Sequence, residues 1–260
     1  MNGFTFGLGG IEGELWRLVF VMMRVGAALM AAPFFSAAAV PVQLRVAISG
    51  AIALLVCTWV PVQVPPALMS LPGLLIVFNE ALIGLTLGFV LQLSFAAPVL
   101  AAEQIGGAMG MSIASAVDPV SGTHSPVLGQ YFTVLLTIVF LGMGAHLTWL
   151  RLVVESYRLL PPGSGWLGAA TLEQVAALGS RMFLAGLVIA FPVTLLLLLV
   201  QLAAGVLSRS APSLNLFALG LPAGVLAGLA ALIAAAPLTA DQFSSLSEEA
   251  IENSAGLLER

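Results

Sequence analysis

Histidine and serine side chains of this sequence could in principle form a pair of general base and nucleophile. His124 lies among Ser112, Ser115 and Ser121, and His146 lies further along the chain. A serine becomes a nucleophile when a neighbouring base takes its proton. No GxSxG turn presents these serines, however, and no HExxH pair places two imidazoles on one helix face to bind a metal. We therefore expect no enzyme activity, no metal and no cofactor.

The candidates for polar contacts or ion pairs within the membrane are Arg24, Glu80, Gln92 and Glu103. A charge in hydrocarbon is costly, so each charged group should face a partner, a pore or a cavity. Arg24 could pair with Glu80 or with Glu103, and the sequence does not decide between them. A structural ion pair and a proton relay both fit these residues, although a relay usually needs more titratable groups than this chain has.

The chain that carries these residues is unusually apolar. Of its 260 residues, 60% are hydrophobic and 8% are charged, whereas an ordinary soluble domain has roughly 25% charged residues. Lipid or tightly packed subunits must therefore cover most of the surface. All eight basic residues are arginine and they form no basic run, so we expect no nucleic-acid partner.

Six apolar stretches are long enough to cross a bilayer as helices, for which about 20 residues suffice. They cover residues 15–32, 44–60, 74–102, 127–150, 182–207 and 216–236. Pro98, Pro192 and Pro222 lie inside these stretches and predict kinks, because proline removes a helix hydrogen bond. The predicted fold is an all-α, polytopic membrane protein of about six hydrophobic helices in kinked long hairpins. Residues 1–240 form this hydrophobic part, and residues 241–260 form an acidic amphipathic tail that could dock on a partner.

The segment at residues 103–129 differs from the stretches on either side, because it is rich in glycine and small hydroxyl residues. Irregular backbone at membrane depth is tolerated only where it is buried in protein or lines an aqueous cavity. Met109 and Met111 lie among the glycines, and methionine adapts to irregular gaps. The segment therefore suits a deformable seal. An ordinary loop outside the membrane is the alternative, and composition leaves both open.

Small residues recur every four positions on two of the predicted helices. The stripes are Glu80, Gly84, Gly88 and Gln92 on the third apolar stretch, and Gly220, Gly224 and Gly228 on the sixth. Such spacing lets helices approach closely, and polar residues on the same stripe can bond across the interface. Packing within this chain and packing against another subunit are both compatible with the pattern.

Four stretches, taken together, resemble the FliR family, the R subunit of flagellar biosynthesis, whose injectisome counterpart is called SctT. They are RVGAALMAAPFFSAAAVPVQLRV at 24–46, NEALIGLTLGFVLQLSF at 79–95, EQIGGAMGMSIASAVDPVSGTHSPVLGQ at 103–130 and HLTWLRLVVESYRLLPPG at 146–163. They occur in the family's order, and the resemblance covers nearly the whole chain.

The resemblance implies a structural, pore-forming subunit of the type III secretion export gate, packed in a helical, conical assembly. Its implied partners are the P and Q subunits FliP and FliQ, the export switch protein FlhB, FlhA, unfolded protein cargo and membrane lipid. The implied location is the bacterial inner membrane at the flagellar basal body. In such assemblies a hydrophobic helix need not be a simple bilayer crossing.

The resemblance also assigns a plug-like pore loop to residues 106–122. In this assignment Met109 and Met111 are apolar sealing residues, and Asp118 and Pro119 fix the turn that ends the plug. The glycines that would act as hinges are Gly106, Gly107, Gly110 and Gly122.

Two other classes of function compete with the export-gate hypothesis. A small-solute secondary transporter would use a broken third helix as its substrate site. An intramembrane enzyme would depend on His124 and His146, so their substitution should abolish its activity.

Overall fold

The computed structural model describes residues 8–36, 40–65, 70–111, 127–164, 168–210 and 216–259. Within these ranges the secondary structure consists of α-helices without strands, so the all-α prediction is confirmed. The helices are α1 (Leu8–Ala31), α2 (Val42–Trp59), α3 (Leu71–Ala108), α4 (Val127–Gly142), α5 (Ala145–Leu159), α6 (Ala169–Ser210) and α7 (Leu216–Gly256).

Proline sets the ends of two of these helices. A residue that precedes proline is sterically disfavoured in the helical region and becomes extended. Val60 precedes Pro61 and closes α2 at φ −121° and ψ 127°. Leu160 precedes Pro161 and closes α5 at φ −124° and ψ 80°. Both helices therefore end directly before a proline.

The fourth apolar stretch, predicted as one helix over 127–150, is broken in the structure. Helix α4 ends at Gly142 and α5 begins at Ala145. Between them Gly144 adopts φ 72°, a left-handed conformation that glycine enters without steric cost. The prediction of a continuous helix is therefore wrong at this point. The Gly-Met-Gly sequence at residues 142–144 explains the break.

Two predicted helix boundaries also move outward. Helix α3 continues to Ala108 rather than ending at residue 102, and α6 begins at Ala169 rather than at residue 182. Pro98, Pro192 and Pro222 all lie inside continuous helices. The long helices therefore extend well past the apolar windows from which they were predicted.

Among the described residues, four helices are long and apolar enough to span a membrane, fewer than the six stretches predicted: α2, α3, most of α6 and the part of α7 from Pro222 onward. The broken pair α4 and α5 would make a fifth span. No more than 39% of the most apolar stretch of any of the four is buried within the chain. Most of their apolar surface is therefore available to lipid or to other subunits.

The chain divides into two compact units. The first comprises Met1–Leu93, Gly144–Leu178 and Ala250–Arg260, and the second comprises Ser94–Met143 and Gly179–Glu249. The core of the first unit includes Val21, Val25, Leu87 and Trp149, all buried. The indole Nε1 of Trp149 donates to the Leu87 carbonyl oxygen at 3.3 Å, which satisfies its only polar group.

The second unit has an aromatic core. Phe95 meets Phe140 edge-on with ring centroids 5.5 Å apart, and Phe132 meets Phe243 in the same way at 5.7 Å. Edge-to-face contact is the arrangement that the ring quadrupoles favour. Phe243 belongs to α7, which runs through residue 240 without a break. The domain boundary proposed at that residue stays a prediction.

Candidate functional sites

A buried ion pair joins α1 to α3 in the first unit. Arg24 and Glu80 are both fully buried. Arg24 Nε donates to Glu80 Oε2 at 2.8 Å, and Arg24 Nη2 donates to Glu80 Oε1 at 2.8 Å. This two-pronged geometry is the strong form of a charge-assisted hydrogen bond. It allows two charges to persist where each alone would be expensive.

The remaining donors of Arg24 reach the end of α5. Nη1 donates to Ser156 Oγ at 3.0 Å, and Nη2 also donates to the Leu160 carbonyl oxygen at 2.8 Å. The guanidinium carbon lies 4.2 Å from the centroid of the Tyr157 ring, within the range of a cation–π contact. Tyr157 in turn donates its hydroxyl to the Val21 carbonyl oxygen at 2.6 Å. These contacts of Arg24 and Tyr157 therefore connect α1, α3 and α5.

The glycines that follow Glu80 bring α3 into backbone contact with α1. A Cβ at Gly84 would overlap the Arg24 carbonyl oxygen and lie 3.0 Å from Ala27 Cβ. At Gly88 a Cβ would overlap the Ala28 carbonyl oxygen. Because these obstacles are backbone atoms, no side-chain movement could relieve them. Glu80, Gly84 and Gly88 thus form one face of α3 packed on α1, whereas Gln92 and Glu103 are exposed.

The second glycine stripe divides into two parts. A Cβ at Gly220 would meet nothing within 4 Å. At Gly224 it would lie 3.1 Å from the Met109 carbonyl oxygen, and at Gly228 it would lie 2.5 Å from Met109 Cγ. The close approach is therefore confined to Gly224 and Gly228, and its partner is the residue that follows α3.

The predicted plug loop is described only in its first part. Gly106 and Gly107 are still helical, so the prediction of irregular backbone from residue 103 onward is wrong up to Ala108. Met109 is buried, Gly110 adopts φ 83° and Met111 is half-buried. The other members of the assignment lie outside the described residues: Asp118, Pro119 and Gly122.

The residues considered for catalysis are also only partly described. His124 and the serines at 112, 115 and 121 lie outside the described residues, and His146 is half-buried near the start of α5. Among the described residues, no three His, Cys, Asp or Glu side chains group to hold a metal ion.

Sequence reasoning missed several partners. Ser156, Tyr157 and Leu160 complete the surroundings of Arg24, and one signal in the sequence could have indicated them. Helix α5 carries a polar Ser-Tyr pair on its buried side, and buried polar groups require partners. Gln201 of α6, which donates Nε2 to the Ala108 carbonyl oxygen at 2.7 Å, had no signal in the sequence.

These features define a polytopic, all-helical membrane protein whose helices are joined by a buried ion pair and glycine-lined contacts. Residues 15–250 match the family described as Bacterial export proteins, family 1. The chain is 35% identical to the flagellar biosynthetic protein FliR of Escherichia coli strain K12 over 219 residues, which is 84% of each protein. It is 32% identical to FliR of Pectobacterium carotovorum over 83% of this chain and 82% of the relative. FliR of Bacillus subtilis strain 168 is likewise 32% identical, over 78% of this chain and 79% of the relative. The chain therefore belongs to the FliR family of bacterial export proteins.

Proposed function

We propose that this protein is a structural, pore-forming subunit of the flagellar type III export gate, through which unfolded proteins leave the cell. The observation that carries the proposal is the excess of apolar helix surface. Helix α6 contains 42 residues, or about 63 Å of helix at 1.5 Å per residue, and exposed apolar side chains occur along it from Leu172 to Leu207. The hydrocarbon core of a bilayer is only about 30 Å thick. Lipid alone would leave apolar surface uncovered, and sister subunits would cover the rest.

The relatives' names fit this proposal, since they are flagellar biosynthetic proteins within an export family. We place the chain in the bacterial inner membrane at the flagellar basal body. Its partners would be FliP, FliQ, FlhB and FlhA, with unfolded protein as the cargo. Its role would be to build and seal the pore rather than to catalyse a reaction.

The plug assignment forms part of the proposal. Residues 106–122 would close the resting pore with the apolar side chains of Met109 and Met111. A gate seal must block ions and still yield to a passing polypeptide. Methionine and glycine suit that demand, because methionine packs adaptably and glycine tolerates many backbone conformations.

The transporter alternative loses its main support in the described residues. It required a broken third helix as the substrate site, but α3 is continuous from Leu71 to Ala108. The buried charges that could have bound a solute, Arg24 and Glu80, are paired with each other. A solute would have to break that pair in order to bind there.

Native mass spectrometry tests the proposal most directly. The chain would be co-expressed with the P and Q subunits of the same genome and purified in detergent. We expect a stable hetero-oligomer that contains one copy of this chain. A well-folded chain that stays monomeric or forms only homodimers would refute the gate proposal, and solute uptake would then test the transporter alternative.

The plug role has its own experiment. Deleting residues 106–122 should raise ion conductance through the assembled gate while the subunit composition stays the same. Unchanged conductance in an intact assembly would remove the plug from the proposal and leave the subunit role standing.

A further inference from the structure

Met109 lies in a more confined place than a sealing residue would need. It follows the last residue of α3, and only 4% of its surface is exposed. Its backbone N–H donates to the Ile105 carbonyl oxygen at 2.9 Å, so it continues the hydrogen-bond pattern of the helix. The next residue, Gly110, turns the chain away at φ 83°. Met109 is therefore the last residue that follows the helical path of α3 before the backbone changes direction.

The side chain of Met109 fills a space that two glycines of α7 leave open, which we call the glycine notch (Gly224 and Gly228). A Cβ at Gly228 would lie 2.5, 2.7 and 2.8 Å from Met109 Cγ, Sδ and Cε. A Cβ at Gly224 would lie 3.1 Å from the Met109 carbonyl oxygen. Because one Cβ would collide with three successive side-chain atoms, the notch fits Met109 along its length.

A second contact holds the same end of α3. The last carbonyl groups of a helix have no partner within the helix and need one elsewhere. The Ala108 carbonyl oxygen accepts a hydrogen bond from Gln201 Nε2 of α6 at 2.7 Å. The end of α3 is thus held by α7 through Met109 and by α6 through Gln201.

We infer that Met109 is a positioning residue, which fixes in the glycine notch the point where the proposed plug leaves α3. The inference rests on the proposed function. It revises that proposal in one respect: Met109 is the anchor instead of a sealing residue, and the sealing side chain that remains is Met111. Gly110, in the left-handed conformation, lies between Met109 and Met111.

A disulfide tests the contact itself. A Cβ at Gly228 lies 2.5 Å from Met109 Cγ, and a carbon–carbon bond adds about 1.5 Å. The two Cβ atoms are therefore at most about 4 Å apart, which suits a disulfide. Cys57 is the only native cysteine, so Cys57→Ser provides a background without thiols. In that background we expect Met109→Cys with Gly228→Cys to become protected from maleimide on mild oxidation, and Met109→Cys with Gly220→Cys to stay reactive. Equal reactivity of the two pairs would overturn the contact.

Ion leak through the gate assembled with the P and Q subunits tests the positioning role. For Met109→Ala we expect a leak at least about tenfold above the parent, because a lost core side chain shifts a two-state equilibrium by that factor or more. Native mass spectrometry must show an unchanged subunit composition. Met109→Leu should restore a tight gate, since it keeps the volume of the side chain. Gly220→Ala is the matched control and should not leak.

The outcomes separate this inference from the proposed function. If the disulfide forms but Met109→Ala does not leak, Met109 is a packing residue and the positioning role is wrong. If deletion of 106–122 still leaks in that case, the plug proposal stands. If Gly228→Ala fails to assemble, the double variant with Met109→Ala should assemble again, because it removes the three atoms in collision. Failure of that rescue would also count against the fit of Met109 in the notch.

Discussion

Replacing Glu80 by glutamine should destabilise this protein far more than a conservative change of one atom suggests. Arg24 is fully buried, and two of its charge-assisted hydrogen bonds end on Glu80. Glutamine supplies one acceptor oxygen and turns an NH2 group toward an arginine donor. The positive charge is then left in the core without a counter-charge. Breaking a buried pair in this way costs about 3–5 kcal/mol, a large part of the stability of a typical domain.

The assay is unfolding of the purified chain in mild detergent, followed by near-UV circular dichroism as denaturant is added. Glu103→Gln is the matched control, because it removes the same charge from the same helix at an exposed position. We expect the control to change the free energy of unfolding by no more than about 0.5 kcal/mol.

A double replacement sharpens the test. Arg24→Met with Glu80→Leu removes both charges and should be much less harmful than Glu80→Gln alone. Ser156 keeps a partner in this variant, since its hydroxyl also donates to the Val153 carbonyl oxygen at 2.7 Å. The Leu160 carbonyl oxygen loses a donor, so a residual cost of about 1–3 kcal/mol is expected. If Glu80→Gln costs less than about 1 kcal/mol, or if the double variant is the worst of the series, the buried-pair reasoning is wrong.

Two further predictions concern close contacts within the helices. Gly84→Ala should destabilise the chain by about 1–3 kcal/mol, because its methyl group would meet the Arg24 backbone. Gly179→Ala, at a helical position with nothing within 4 Å, should instead stabilise it by about 0.5–1 kcal/mol. The same denaturant titration measures both, and equal effects would contradict the packing. Tyr157→Phe removes the hydroxyl donor to the Val21 carbonyl oxygen, which lies inside α1 and keeps its helix donor, so it should cost about 0.5–1.5 kcal/mol. No loss in that titration would show that the hydrogen bond contributes nothing net.

The helical content was predictable because composition and apolar length report it directly. A continuous apolar run of 20 residues has few alternatives to a helix in a chain with so few charges. Helix ends were less predictable, since they depend on local backbone. The apolar stretch at 127–150 is uniform in hydropathy, yet its helix is interrupted at Gly144. Pro98 and Pro192, in contrast, lie inside helices that continue past them.

Individual site residues were predictable as chemical types, whereas their partners were not. A charge in an apolar helix predicts that a partner exists. The sequence alone could not decide whether Arg24 forms its ion pair with Glu80 or with Glu103. The spacing of Gly224 and Gly228 likewise predicted a close helix contact, but it did not indicate that Met109 is the residue in contact. The partner of each residue is determined by tertiary contacts between residues far apart in the chain. A single sequence does not show which distant residues are in contact.

The ion pair and the glycines on α3 both act on the contact between α3 and α1. Gly84 and Gly88 are four residues apart, so sliding α3 along α1 by one turn would place one glycine where the other was before. The same shift would bring Glu80 or Gln92 into the second close contact, where the α1 backbone leaves no room for a Cβ. Glu80 continues the same stripe, and its carboxylate meets a single arginine, Arg24, which is also held by Ser156 and Leu160. A shift of one turn would also leave both charges buried and unpaired, which adds a second penalty against it. The double apolar variant would keep the glycine contacts but lose this second penalty, so the buried charge pair adds to the specificity of the register that the glycines already favour.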